Sequence, residues 1–124
     1  MKNIFVSFAI EDKFARDNLV FQAKQHQTPF NFVDMSVQTP WDYSWKTNCR
    51  NRIKQCDGLI AFLSDNTNKA EGALWETNCA YEENISVLLV YIHDNGVKAI
   101  PRDLSGKRIV HWTWPNISNF ISSL

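Results

Sequence analysis

Short apolar runs alternate along the chain with longer amphipathic stretches. Ile4-Phe5-Val6-Ser7-Phe8 is β-rich and apolar almost throughout, the pattern of a strand covered on both faces. From about Asp12 to Gln25 there is no Gly or Pro, and Phe14, Ala15, Leu19 and Ala23 recur at near-helical spacing behind Asp12 as an N-cap. Pro29 breaks the pattern, and Phe30-Asn31-Phe32-Val33 alternates like a half-buried outer strand. A second helix is predicted from about Tyr43 to Gln55, with Trp45, Cys49, Ile53 and Cys56 on one face. Asp57-Gly58 turns into Leu59-Ile60-Ala61-Phe62-Leu63, another doubly covered strand, and a third helix is predicted over about Ala70 to Glu83.

Ser86 to Ile92 reads as a fourth strand and Arg108 to Trp112 as a fifth. The stretch from Asp94 to Lys107 between them, where the alternation would put a fourth helix, is mostly loop-like. Pro115 suits the first turn of a closing helix carrying Ile117, Phe120 and Ile121. Repeated strand-then-helix units imply parallel strands joined by right-handed crossovers, with helices on both faces. The expected fold is therefore α/β: a flavodoxin-like three-layer sandwich with a five-stranded parallel sheet in the order 2-1-3-4-5.

The length, 124 residues, suits one domain spanning 1–124. Thirteen basic and thirteen acidic side chains cancel, which removes the field that would draw the chain to a nucleic-acid backbone or an anionic membrane. The start turns polar at Glu11, too soon for a signal peptide, and no apolar run reaches membrane-spanning length, so the expected location is the cytoplasm. Cys49, Cys56 and Cys79 lack the paired spacing of zinc or redox sites, and they read as reduced thiols in the core; no metal is expected.

In sheets of this kind ligands bind beyond the carboxyl ends of the strands, where the strand order reverses. That rule collects Ser7, Phe8 and Ala9 after the first strand, Asp34 and Ser36 after the second, Ser64 to Thr67 after the third and His93 after the fourth. No Gly-rich phosphate cradle follows the first strand, since Gly58, Gly72, Gly96 and Gly106 are scattered. A phosphoacceptor receiver would need paired acids and a late Lys; Glu11-Asp12 and Asp65 imitate the acids, but no Lys follows Trp112.

The third helix carries the most informative carboxylate. Plotted at helical spacing, Ala70, Ala73, Thr77, Ala80 and Tyr81 share a small-residue face with Glu76 at its margin. Helix geometry alone favours an ordinary solvated glutamate at that position. Trp75 is placed on the opposite side, as an exposed packing or self-association contact, and His26, His93 and His111 join no constellation.

Taken in order, Ile4-Phe5-Val6-Ser7-Phe8 with Asp12, then Trp45 and Ile53 with Cys56-Asp57, Asn66-Thr67, Trp75-Glu76 with Ala80, and Trp112-Thr113-Trp114 resemble the bacterial TIR-like family of the Thoeris antiphage defence system. The resemblance covers nearly the whole chain. It implies that Glu76, followed four positions later by the small Ala80, is the catalytic glutamate of a site that cleaves the nicotinamide–ribose bond of NAD. It further implies release of a cyclic ADP-ribose-type second messenger that a partner effector senses, a phage-derived trigger, and self-association. Phe8 and Ala9 would line the nicotinamide end, with Ser7, Asp34, Ser36 and Asn66 as further substrate contacts and NAD as substrate, not cofactor. The chain departs from many TIR enzymes in carrying Gly72 where they carry an aromatic residue.

A lone carboxylate suits that reaction. Nicotinamide leaves as a neutral molecule and needs no general acid, while positive charge growing on the ribose is stabilised by a carboxylate bonded to its hydroxyls. If water is excluded, a nucleophile in the same molecule can capture the sugar carbon and close a ring. Two other readings stand beside this one: a TIR-like module that signals by assembly alone, and a nucleoside N-glycosidase or deoxyribosyltransferase using the same carboxylate chemistry.

Overall fold

The two runs that are apolar on both sides become the middle of the sheet. In the computed structural model, which describes residues 1–28, 30–33 and 43–124, strands β1 (Lys2–Ser7) and β3 (Gly58–Leu63) lie side by side. They are flanked by β2 (Phe30–Val33) on one side and by β4 (Ser86–Tyr91) and β5 (Ile109–His111) on the other. All four pairings are parallel and the order is β2-β1-β3-β4-β5, as the strand-helix alternation predicts. The fold is a flavodoxin-like α/β sandwich.

Among the described residues four helices supply the outer layers: α1 (Lys13–Gln25), α2 (Tyr43–Lys54), α3 (Glu71–Glu82) and α4 (Trp114–Ser122). Successive strand residues point to opposite faces, and β3 divides accordingly. Leu59, Ala61 and Leu63 pack with Cys49 and Ile53 of α2 and Cys79 and Ala80 of α3. Ile60 and Phe62 pack with Ala15 and Leu19 of α1 and Ile117 and Ile121 of α4. Each layer depends on such anchors; truncating the fully buried Ile53 to Ala costs about 2–5 kcal/mol through lost burial and the cavity left behind.

The element ends follow local chemistry, with one correction. Thr113 caps α4 by accepting from the Asn116 amide at 3.2 Å, and Pro115 sits in the first turn, where its missing N–H is no loss. Asp12 occupies the N-cap position of α1 but makes no side-chain cap; a 3-10 turn over Ile10–Asp12 precedes the helix, and the carboxylate turns inward to other donors. Between β4 and β5 there is only a 3-10 turn, Arg102–Leu104.

Candidate functional site

The site is built where β1 ends beside β3, at the reversal of strand order. Small residues let α3 come close: Ala73, Thr77 and Ala80 are buried, and the Ser7 hydroxyl lies 3.0 Å from the Ala73 carbonyl. The same hydroxyl lies 2.9 Å from Glu76 Oε1, so its single proton sits between two acceptors that α3 presents together. Glu76 Oε2 receives a longer contact, 3.8 Å, from the Cys49 thiol of α2.

Glu76 is only 4% exposed, which corrects the solvated glutamate that helix geometry favours. The reason is α2, which covers the margin of α3 that a single-helix plot leaves open. Arg50 of α2 donates to Glu83 at 2.7 Å and lies 3.5 Å from Glu82, while its guanidinium carbon sits 5.4 Å from the Trp75 ring centre. Trp45 and Trp75 are 5.5 Å apart between ring centres. Trp75 is thus half-buried between the two helices, a packing contact and not an exposed indole.

The three cysteines are free and buried. Burial pushes the Cys49 thiol far above the ordinary range, and the neighbouring Glu76 carboxylate adds to the rise. Burial, with Asp57 second, raises Cys56 to about 11, and burial also raises Cys79. All three are reduced, as their spacing predicts, and burial favours the protonated thiol.

A second polar cluster closes the neighbouring strand ends. Asp12 is buried, accepting from Ser64 Oγ at 2.5 Å and from Asn66 Nδ2 at 3.0 Å. Ser64 Oγ in turn accepts from the Asn66 amide at 3.0 Å, and Thr67 Oγ1 accepts from the Ser64 amide at 2.9 Å. This network ties the start of α1 to the loop after β3.

Of the substrate-contact candidates, Ser7 meets Glu76, whereas Asn66 spends its side-chain amide on Asp12. Phe8 packs on the α1/α4 side of the sheet, away from the α2/α3 side that holds Glu76, and Ala9 is buried after β1. Asp34 and Ser36 lie outside the described residues. Two contributions escaped the sequence reading. Cys49 was placed correctly on the buried face of α2, but its partner on α3 leaves no local signal, and Asp12 resembles a cap because caps and buried acceptors share residue types.

His93 lines a separate groove of about 460 Å³ with Phe14, Phe21, Ile92, Asp94 and Trp112. His26 stacks on Trp114 with ring centres 4.8 Å apart, and His111 lies 5.5 Å from Tyr91. Among the described residues no group of three His, Cys, Asp or Glu side chains is placed to hold a metal ion, and no helix is long and apolar enough to cross a membrane.

Comparison with known proteins agrees with this architecture. A prokaryotic SEFIR domain superposes with a TM-score of 0.56 at 13% identity, covering 99% of this chain and 89% of that one. The TIR domain of the Toll-related receptor TRR-2 from Hydra magnipapillata superposes with a TM-score of 0.63 at 14% identity, covering 99% and 94%. At such identities the likeness is one of fold. No curated protein sequence matches the chain significantly. The sequence profile described as "Thoeris protein ThsB, TIR-like domain" matches residues 5–96, which include the end of β1, α2, Ser7, Cys49 and Glu76, and the chain therefore belongs to the Thoeris TIR-like family.

Proposed function

We propose that the chain is an NAD-processing TIR enzyme in which Glu76 stabilises the positive charge that develops on the ribose as nicotinamide leaves. The observation that carries this reading is the carboxylate itself: it is buried at the carboxyl end of β1, with Ser7 fixing one oxygen at 2.9 Å. A carboxylate held in a water-poor setting acts on developing charge more strongly than one in solvent, without reorganising first. Capture of the sugar carbon by a nucleophile of the same molecule would give a cyclic ADP-ribose-type messenger for a downstream effector, and capture by water would give the linear product.

A sugar reaches a carboxylate that is 4% exposed only after its cover shifts. Self-association or a phage-derived trigger would supply that shift, which makes the isolated chain a resting form. The same burial is also what favours the second reading, a TIR-like assembly module in which Glu76 is a structural acceptor for Ser7 and Cys49.

The test incubates concentrated protein, with and without lysate from phage-infected cells, with NAD and follows nicotinamide by chromatography. Glu76→Gln keeps the shape and an acceptor for Ser7 while removing the charge. Release by wild type and at least a roughly hundredfold loss in the variant support the enzyme; equal release removes Glu76 from the mechanism, and no wild-type release in any assembled or triggered state favours the assembly module.

A further inference from the structure

Helix α1 is apolar on two sides. Ala15, Leu19 and Ala23 are buried against the sheet, while Phe14 and Phe21, two turns apart, stand on another side with Asn18, Gln22 and Gln25. The two rings are 46% and 60% exposed. Their side of α1 forms one wall of the groove of about 460 Å³, and the segments after β4 and β5 form the other, with Ile92, His93, Asp94 and Trp112. The groove thus lies beyond the carboxyl ends of two parallel strands, the place where sheets of this kind take ligands. Ile92 and Trp112 pack on the α1/α4 side of the sheet, whereas Glu76 meets Cys49 on the α2/α3 side.

The aromatic walls are partly fixed in advance. The Trp112 indole donates to Gln22 Oε1 at 2.9 Å and its ring centre lies 4.7 Å from that of Phe62, yet the side chain is only half-buried and lines the groove. His93 faces α1 with its ring centre 6.4 Å from that of Phe14.

We infer that this groove binds a purine nucleoside, at a site separate from Glu76 and independent of the chemistry proposed there. Its volume falls within the range of small-molecule clefts, roughly 300–1,000 Å³. Aromatic side chains offer flat apolar surface on which a base stacks. The amides of Asn18 and Gln25 are exposed, and Gln22 keeps its NH₂ group after accepting from Trp112; carboxamides carry a donor and an acceptor together, which matches the mixed edge of a base. A phosphate finds no such match. Among the described residues no Lys or Arg lines the groove, whereas the Asp94 carboxylate does, so the charge there opposes a second anion. A second copy of the chain docked on Phe14 and Phe21 would also cover Asn18, His93 and Asp94 and strip them of water without supplying a base edge in exchange.

The experiment titrates the full chain with adenosine, AMP and spermidine at low salt and follows the Trp112 indole N–H by nitrogen-15 NMR, in wild type, Phe14→Ala, Phe21→Ala, Asp94→Asn and Glu76→Gln. The two phenylalanines are exposed, so their variants are expected to stay folded, and melting temperatures check this. Adenosine is expected to move the resonance saturably, with affinity reduced roughly tenfold in Phe14→Ala and in Phe21→Ala and unchanged in Glu76→Gln. AMP binds less tightly than adenosine, and Asp94→Asn removes most of that difference. Four results overturn the inference. One is an unmoved resonance at millimolar adenosine, and another is a response to spermidine instead, which makes the groove a site for organic cations. A third is binding that Glu76→Gln abolishes and the phenylalanine variants leave intact, which puts the nucleoside on the other side of the sheet. The last is a shift that depends on protein concentration alone and disappears in Phe21→Ala, which assigns the groove to a second copy.

Discussion

Ser7 and Glu76 stand 69 residues apart in the chain and meet through a 2.9 Å hydrogen bond from the Ser7 hydroxyl to Oε1. The contact joins the last residue of the central strand β1 to the middle of α3, and it is made possible by Ala73, whose small side chain lets the helix backbone come within 3.0 Å of the same hydroxyl. The Ser7 hydroxyl therefore ties both the α3 backbone and the carboxylate to the end of β1.

Ser7→Ala removes that donor from a buried carboxylate and is expected to cost about 2 kcal/mol, the loss typical of a hydrogen bond to a charged group. In a Glu76→Gln background, where the acceptor is neutral, the same change costs roughly 1 kcal/mol. Urea unfolding of the four proteins at neutral pH measures the cycle. Equal losses in the two backgrounds would mean that Ser7 acts on the helix backbone and not on the carboxylate.

The parts of this arrangement that were legible in the sequence are those with a period. Doubly apolar runs marked β1 and β3, the loop-like stretch before β5 was read as such, and Pro115 marked the start of α4. The burial of Glu76 and Trp75 was not legible, because both depend on α2 crossing α3, and a pattern read along one helix holds no information about which neighbour covers its margin. Asp12 shows a different limit. An acid at a helix start satisfies the rule for a cap, yet Ser64 and Asn66, more than fifty residues away, compete for it and win. Resemblance to the Thoeris family singled out Glu76 where geometry alone did not.

Asp12 also makes a stability prediction. Asp12→Ala strands the Ser64 hydroxyl and the Asn66 amide and is expected to cost about 2–3 kcal/mol, whereas Asp12→Asn keeps one acceptor oxygen and costs roughly half as much. Denaturant midpoints rank the two. An Asn variant no more stable than the Ala variant would place the value of Asp12 in its charge and not in its hydrogen bonds.

Gly58, the first residue of β3, lies under the end of α4. A Cβ built there would meet Leu124 Cδ1 at 2.9 Å and Phe120 Cζ at 3.1 Å, both at the tips of side chains. Gly58→Ala is accommodated by small shifts and costs under about 1 kcal/mol, while the branched Gly58→Val drives α4 off the sheet and costs about 2–3 kcal/mol. Thermal melts of both variants check the ranking, and a Val variant as stable as Ala would show that the end of α4 is not held against β3.

The thiols set an alkaline limit on stability. Cys56 is raised from an ordinary 9.0 to about 11, and Cys49, Cys79 and Tyr81 are raised as well, in each case chiefly by burial. For an acid whose folded value lies above its unfolded one, the unfolded chain releases the proton first, so the folded state binds more protons and loses stability as pH rises. The contribution of Cys56 is therefore fully present below pH 9 and is lost between pH 9 and about 11, at about 1.4 kcal/mol per pH unit once the unfolded thiol is ionised. Urea midpoints are expected to be level from pH 7 to 8.5 and to fall steeply by pH 10.5. Cys56→Ala lowers the plateau through its cavity but shows a shallower fall, because one of the linked protons is gone. A midpoint that stays level to pH 10.5 would mean that the thiols reach water in the folded protein, contrary to their burial.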